Sequence, residues 1–200
     1  MAEPALPRRI AVLASGRGSN LQAILDAIGD GWLDAELVGV FSDKPACAAL
    51  ERVPAALRWS RDAKAFARRE DFDHALGDAI AAAQADWIVC AGYMRILGDA
   101  FVDRFSGRLI NIHPSLLPKY KGLGTHRRAL EAGEREHGAS VHWVTPELDA
   151  GDVIAQTRIA ILPSDTPATL AARLLPAEHA LLVRVMANAV AGRLHPPKPA

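Results

Sequence analysis

The stretch RRIAVLASGRGSNLQ, residues 8–22, decides the fold class because its character changes from strand to helix across one glycine-rich turn. The run Ile10–Ala14 is continuously apolar, as expected of a strand that is buried on both faces of a parallel sheet. The segment Ser19–Ile28 that follows is helix-like. A strand, a tight turn and a helix in this order form the first half of a βαβ unit.

The same alternation continues along the chain. Short apolar runs recur at Leu37–Phe41, Trp87–Ala91 and Leu109–Ile112. Between them, Asp62–Ala83 carries apolar residues four positions apart and predicts a helix. The order β-α-β-α through residue 112 predicts an α/β fold with a doubly wound, mostly parallel, Rossmann-like sheet.

The second half of the chain changes character. Ala139–Val144 and Val153–Ile161 have strand composition, and the polar connection between them is too short for a helical crossover. We therefore expect an antiparallel strand pair. A last helix should begin after Ser164–Thr166, with Pro176 either kinking it or marking a fresh start. We expect one domain over residues 1–200, with an ordered core at about 8–194.

Composition limits the classes of partner. The 200 residues include 23 basic and 23 acidic side chains, so the formal net charge is zero. A neutral chain has no bulk electrostatic attraction for nucleic acid or for an acidic membrane. Zero net charge does not exclude a local site that binds one small anion. Half of the residues are hydrophobic, which excludes intrinsic disorder.

The cysteines and the chain ends carry little functional signal. Cys47 and Cys90 are far apart, without CxxC or metal-ligand spacing, so we expect reduced thiols and no metal. Met1–Arg9 has no apolar core of a secretory signal, and no run reaches the roughly 18 apolar residues of a membrane span. These patterns favour a cytoplasmic protein that does not bind membranes, and they leave a homodimer open.

The glycine-rich turn is a candidate phosphate site. Gly16 and Gly18 let the backbone turn and approach a ligand, and Ser19 or Asn20 can cap the helix and bind an anion. No Lys-Ser/Thr pair follows the glycines, which excludes an ATPase-type loop. The dinucleotide fingerprint would have its third glycine where Leu21 stands. A single phosphate is the ligand this turn favours.

A second cluster of polar residues follows the strand at 109–112. Asn111 and His113 are two positions apart and therefore point to the same face, and Pro114 ends the strand. An amide and an imidazole at the carboxyl end of a strand can hold a carbonyl oxygen and move a proton. Asp149 lies in the loop between the two later strands. A carboxylate near His113 would favour its protonated form.

Four motifs in order carry a family resemblance: SGRGSN at 15–20, GYMRIL at 92–97, NIHPSLLP at 111–118 and LDAG at 148–151. Together they resemble the phosphoribosylglycinamide formyltransferase family over residues 8–194. The resemblance implies transfer of a formyl group from 10-formyltetrahydrofolate to the amine of glycinamide ribonucleotide in purine synthesis, without a metal. It implies that the N-terminal half binds the nucleotide phosphate, and that the C-terminal half binds folate and carries the Asp149 loop.

The resemblance also implies roles for individual residues. Asn111 and His113 would stabilise the oxyanion, with Asp149 raising the pKa of His113 and assisting proton transfer. The nucleotide contacts would be Gly18, Ser19, Asn20 and Glu178. The folate contacts would be Arg69, Met94, Arg95, Ile96, Leu97 and Asn111. For Glu178, which lies on an apolar helix stripe, the residue chemistry alone leaves either a substrate amine or an arginine as its partner.

Some positions depart from the family pattern. Lys121 stands where a proline is frequent, Gly124 stands where a His or Asp is common, and Pro176 precedes Glu178. If the side chain at position 124 normally supports the catalytic aspartate, that support must come from His142 or from water. His126, His137 and His142 are expected to be structural or to lie behind the catalytic residues.

Three other functions stay open. A methionyl-tRNA formyltransferase shares the NIHPSLLP motif, but that family has a further C-terminal domain and basic surfaces. A formyltetrahydrofolate deformylase has an extra N-terminal domain. A non-enzymatic Rossmann module would bind a nucleotide with Gly16, Gly18 and Asp43, and would leave Asn111, His113 and Asp149 without a role.

Overall fold

A computed structural model describes residues 8–196, and these form one seven-stranded sheet with helices on both faces. The strand order is β3-β2-β1-β4-β5-β6-β7. The strands are β1 Arg8–Leu13, β2 Ala35–Ser42, β3 Arg58–Ser60, β4 Trp87–Cys90, β5 Leu109–His113, β6 Glu136–Trp143 and β7 Val153–Ala160. The helices are α1 Ser19–Gly29, α2 Arg69–Ala82, α3 Asp99–Arg104, α4 Thr125–Glu131 and α5 Pro167–Val190.

The parallel strands are buried on both faces, as their continuous apolar sequences predict. In β1, Ile10 and Val12 belong to the core beneath α1 and α5, while Ala11 and Leu13 belong to the core beneath α2 and α3. All four side chains are fully buried. The apolar stripe predicted for α2 packs into the second of these cores. Covering both faces of the sheet is what a doubly wound α/β fold requires.

The predicted antiparallel half is confirmed. β6 pairs antiparallel with β5 on one side and with β7 on the other. The register places His142 opposite Asn111, and Ser140 opposite His113. Gly151 permits the tight β6–β7 connection, because a Cβ there would lie 1.9 Å from the carbonyl oxygen of Trp143.

The fold differs from the sequence prediction in two respects. The helix expected over 62–83 begins only at Arg69, since the Asp62 side chain caps a short 3-10 turn, Ala63–Ala65, and Phe66 is extended. The short elements β3, α3 and α4 have no clear periodic pattern and were not predicted. The glycine-rich turn, the other strands and the helices α1, α2 and α5 were predicted.

Pro176 lies inside α5 and does not start a new helix. The helix runs over 24 residues from Pro167 at its first position, and the Thr166 side chain accepts a hydrogen bond from the Thr169 N–H, which confirms the predicted cap. Among residues 8–196, no helix is both long and apolar enough to cross a bilayer. The terminal segment Met1–Pro7 and residues 197–200 lie outside the described residues.

The glycine-rich turn sits where the strand order reverses, between β1 and β4. The Ser15 N–H donates to the carbonyl of Gly92, and the Ser15 hydroxyl donates to Asp43 Oδ1 at 2.6 Å and accepts from the Met94 N–H at 2.9 Å. This reversal is the point at which ligands bind in open α/β sheets. The Asp43 carboxylate is buried and accepts the hydrogen bond from Ser15. This contact weakens the alternative of a non-enzymatic Rossmann module, in which Asp43 would bind the nucleotide.

Gly18 is required by packing as well as by backbone conformation. Its φ is +75°, and a Cβ at this position would lie 2.7 Å from the Ala49 Cβ. We therefore expect Gly18→Ala to lower the free energy of unfolding by about 1–3 kcal/mol. Gly16→Ala is the matched control, because a Cβ there meets nothing within 4 Å. Urea unfolding of both variants tests this, and equal stability losses would contradict it.

Candidate active site

The carboxyl ends of β4 and β5 open into a cavity of about 560 Å³. Its walls come from the segment after β4, the end of β5, the loop before α4 and the β6–β7 loop. Predicted site residues that line it are Asn20, Met94, Arg95, Ile96, Leu97, Asn111, His113, Asp149 and Glu178. The structure therefore gathers nine of the twelve predicted site residues around one space.

Three predicted residues do not line this cavity. Gly18 and Ser19 lie at the start of α1, next to Asn20, and are not among its lining residues. Arg69 lines a neighbouring hollow of about 470 Å³ whose walls come from α2, Gly98 and α3. Arg69 Nε lies 3.6 Å from Asp73 Oδ2, and the other oxygen of Asp73 lies 3.8 Å from Nε of Arg95, which does line the main cavity.

Asp149 is the centre of the polar cluster. Its Oδ2 accepts a hydrogen bond from the Gly122 N–H at 2.8 Å and lies 3.4 Å from His113 Nδ1, and its Oδ1 lies 3.6 Å from His142 Nε2. Burial opposes ionisation of this carboxyl, but the contacts with His142, Gly122 and His113 outweigh it and lower its pKa. Asp149 is therefore a carboxylate at neutral pH.

His113 does not meet the expectation of a raised pKa. Its Nε2 lies 3.0 Å from the carbonyl oxygen of Tyr120, so this nitrogen must carry a proton and donate. Burial of the ring lowers the pKa of His113, and the Tyr120 carbonyl and Asp149 oppose this without reversing it. The neutral imidazole is thus favoured at neutral pH, although both ring nitrogens face acceptors that would suit the imidazolium.

His142 fixes the orientation of Asn111. Its Nδ1 lies 2.8 Å from the Trp143 carbonyl oxygen and must donate to it, which leaves Nε2 as an acceptor in the neutral ring. Asn111 Nδ2 lies 3.0 Å from that Nε2 and 3.5 Å from Asp149 Oδ1. The amide nitrogen of Asn111 therefore faces the cluster. His142 thus supports Asn111 directly and approaches Asp149 only to 3.6 Å, so support of Asp149 by His142 or by water stays a prediction.

The loop carrying Asp149 is tied to the loop before α4. Besides the Gly122–Asp149 hydrogen bond, Lys121 Nζ lies 3.0 Å from Glu147 Oε1. Asp149 and Tyr120 both have left-handed backbone conformations, with φ of 48° and 57°. Lys121, a departure from the family pattern, thus adds an exposed ion pair between the two loops.

Glu178 and Asn20 form a second polar pair in the cavity. Asn20 Nδ2 donates to Glu178 Oε1 at 2.7 Å, and both residues are buried. Asn20 Oδ1 is buried with no hydrogen-bond partner among the described residues. Burial raises the pKa of Glu178, and the bond from Asn20 partly offsets this. Within the described residues the partner of Glu178 is Asn20 and not an arginine, and a substrate amine stays a prediction.

Two histidines form a pair at the cavity, one in its wall and one buried behind it. His126 lines the cavity, and its Nδ1 lies 3.0 Å from Nε2 of the buried His137. Burial, together with the neighbouring His126, lowers the pKa of His137 to about 4. Among residues 8–196 there is no group of three or more His, Cys, Asp or Glu side chains arranged to hold a metal ion.

Sequence reasoning missed Asp73, Gly122 and Tyr120. Asp73 is a buried carboxylate on α2 that contacts Arg95, while Gly122 and Tyr120 act through backbone groups. Backbone donors and acceptors have no sequence signal of their own. Asp73 could have been noticed as an acid beside the buried stripe position Phe72.

Comparison with known proteins gives consistent matches over nearly the whole chain. Residues 8–186 match the model of the formyl transferase family. The phosphoribosylglycinamide formyltransferase of Escherichia coli K12 is 47% identical over 187 residues, covering 92% of this chain and 88% of that protein. The human trifunctional purine biosynthetic protein adenosine-3 is 40% identical over 173 residues, which cover 86% of this chain and 17% of that protein.

Solved structures agree with these matches. Phosphoribosylglycinamide formyltransferase from Coxiella burnetii, in complex with CHES, superposes with a TM-score of 0.90 at 48% identity, covering 96% of this chain and 91% of that one. Glycinamide ribonucleotide transformylase 1 from Symbiobacterium toebii gives a TM-score of 0.92 at 38% identity, with the same coverage of each chain.

The lowered pKa of His137 predicts acid sensitivity. An unfolded histidine binds its proton near pH 6.5, whereas folded His137 binds it only near pH 4. Between these values the unfolded state holds more protons, so stability falls as pH decreases, by up to about 1.4 kcal/mol per pH unit for this group. We expect His137→Gln to flatten the slope between pH 6.5 and 4 in denaturant unfolding.

The other buried histidines remain in this variant, so a smaller slope should persist. The stability difference at pH 7.5, where His137 is neutral in both states, measures the packing loss alone. An unchanged slope below pH 6.5 would contradict the assignment.

Proposed function

Because the chain belongs to the formyl transferase family, we propose that it transfers the formyl group of 10-formyltetrahydrofolate to the amine of N1-(5-phospho-D-ribosyl)glycinamide, glycinamide ribonucleotide, in purine synthesis. The observation that carries this proposal is the cluster of Asn111, His113 and Asp149 at one cavity, in a chain whose relatives over almost its full length have this activity in their names. The proposed location is the cytoplasm, and a homodimer remains a prediction.

The proposed chemistry is a nucleophilic acyl transfer. The substrate amine attacks the formyl carbon, a C–N bond forms, and negative charge develops on the formyl oxygen. The C–N10 bond then breaks, and the proton lost by the amine goes to N10 of the leaving tetrahydrofolate. Preorganised donors at the developing oxyanion usually make the largest single contribution to the acceleration of such a step.

Asn111 and His113 are the proposed oxyanion donors. Asn111 carries two amide hydrogens, and the bond to His142 Nε2 uses one of them. In His113, Nε2 donates to the Tyr120 carbonyl, so Nδ1 is the nitrogen that would donate to the substrate, and it carries a proton only in the imidazolium form. The negative charge developing on the formyl oxygen and the Asp149 carboxylate, 3.4 Å away, both favour that form. A proton on Nδ1 would be stabilised by that carboxylate. Asp149 is also the base that passes a proton through water from the amine to N10.

The two substrates would occupy opposite walls. Glu178 and Asn20 can receive the glycinamide amine, because a buried carboxylate and an unpaired amide oxygen both favour an N–H donor. The nucleotide phosphate would bind at the start of α1, near Gly18 and Ser19, where backbone N–H groups are free. The folate would lie along Met94–Leu97, where Met94 and Ile96 are exposed apolar side chains.

Activity of the wild type and three variants tests the proposal. We expect wild-type protein to form the formylated nucleotide, detected by mass spectrometry, and Asn111→Ala to lower kcat by about 10²–10³-fold through loss of one donor. His113→Ala and Asp149→Asn should lower it at least as much. Asp152→Asn is the matched control, since this exposed acid lies on the same loop.

The same assay separates the alternatives. Formate release without the nucleotide would indicate a deformylase, and formylation of methionyl-tRNA would indicate the tRNA enzyme. No binding of a 10-formyltetrahydrofolate analogue would favour the non-enzymatic module. Full activity in both His113→Ala and Asp149→Asn would reject the mechanism while leaving the transfer reaction in place.

Glu178→Gln tests whether the cavity wall that contains Glu178 and Asn20 binds glycinamide ribonucleotide. The amide keeps an oxygen that can accept from Asn20 but loses the negative charge, so we expect KM for glycinamide ribonucleotide to rise about tenfold. KM for 10-formyltetrahydrofolate should stay within about twofold, since charge–charge contacts act locally in a screened cleft. Steady-state kinetics with each substrate varied in turn measures both. An unchanged KM for the nucleotide would remove Glu178 from the binding site.

A further inference from the structure

Asp73 is a buried carboxylate outside the catalytic cluster that contacts two arginines. It lies one turn into α2, and its side chain is only 6% exposed. Oδ2 accepts a hydrogen bond from the Gly98 N–H at 2.9 Å and lies 3.6 Å from Arg69 Nε, and Oδ1 lies 3.8 Å from Arg95 Nε. A charge buried to this extent is found in proteins only where it is paired.

The contact with Arg95 is close but incomplete. Asp73 Oδ1 and Arg95 Nε are both buried, and neither has a hydrogen-bond partner among the described residues. The Arg95 guanidinium also lies over the Phe72 ring, 5.0 Å from its centroid. The carboxylate and the ring together restrict the orientation of this guanidinium beneath the wall of the 560 Å³ cavity, which Arg95 lines.

The two arginines belong to different parts of the fold. Arg69 opens α2, whereas Arg95 lies in the segment between β4 and α3, and Asp73 is the acid that contacts both. Gly98, whose N–H is bonded to Asp73, precedes α3 and fixes the end of that segment. One carboxylate therefore sets the position of both cations relative to the cavity.

We propose that Asp73 is a positioning residue that orients Arg95, and with it Arg69, to bind the carboxylates of the glutamate tail of the folate cosubstrate. This inference rests on the proposed function. A free arginine side chain loses about 2 kcal/mol of rotamer entropy when a ligand immobilises it. Orientation by Asp73 and Phe72 removes part of that loss before the ligand arrives, which is the general benefit of preorganisation.

Charge alone predicts the opposite effect of removing this acid. Without Asp73 the net positive charge near the cavity rises, and a folate carboxylate would be attracted more strongly. The sign of the change in KM therefore distinguishes positioning from simple competition between two acids for the same arginines.

Asp73→Asn is the test, because the amide keeps an oxygen that can accept from the Gly98 N–H. We expect KM for 10-formyltetrahydrofolate to rise about tenfold, equivalent to about 1.4 kcal/mol. The kcat and the KM for glycinamide ribonucleotide should be unchanged. A cosubstrate without the glutamate tail should have the same KM with the variant and the wild type. The change should also disappear in an Arg95→Ala background.

Asp78→Asn is the matched control. Asp78 lies on the same helix, its side chain is 74% exposed, and it pairs with Arg104, so the substitution changes the protein's charge equally. We expect it to leave both KM values unchanged. A lower KM in Asp73→Asn, or an equal rise for the tail-less cosubstrate, would overturn the positioning role.

Calorimetric titration keeps this test independent of the proposed reaction. The ligands are a folate that cannot transfer a formyl group and the same compound without its glutamate tail. A wild type that binds the folate but transfers no formyl group would reject the proposed function. Equal affinity of the wild type and Asp73→Asn for the intact folate would reject the role of Asp73.

Discussion

The buried carboxylate of Asp149 is the interaction on which the arrangement of the site depends. An ionised carboxylate away from bulk water costs several kcal/mol unless donors surround it. Here the Gly122 N–H donates to Asp149 at 2.8 Å and the Asn111 amide nitrogen lies 3.5 Å away. The rings of His113 and His142 lie 3.4 and 3.6 Å from the two carboxylate oxygens. The contacts that stabilise this one charge bring together β5, β6 and two loops that are far apart in sequence.

A second buried carboxylate, Glu178, bonded to the Asn20 amide, likewise links distant elements at the other wall of the cavity. It joins the start of α1 to the middle of α5, elements separated by 158 positions in sequence. The pair is only partly satisfied, because Asn20 Oδ1 has no partner among the described residues. Polar groups at a cavity wall that lack a hydrogen-bond partner are expected where a bound ligand supplies the missing contacts.

The periodic parts of the fold could be predicted because their signal is local. The buried strands and the apolar stripe of α2 follow from hydrophobic burial on both sheet faces. The start of α2 could not, because Asp62 caps a 3-10 turn as readily as it caps an α-helix. The short elements β3, α3 and α4 contain three to seven residues each, too few to establish a period.

The sequence by itself determined the residue types of the site and, through four ordered motifs, the family. The tertiary structure alone decided which of those residues meet, as in the register that sets His142 opposite Asn111. It also decided their protonation: the sequence predicted a raised pKa for His113, and burial lowers it. The physical reason is that desolvation depends on everything packed around a group, whereas a motif contains only its neighbours along the chain.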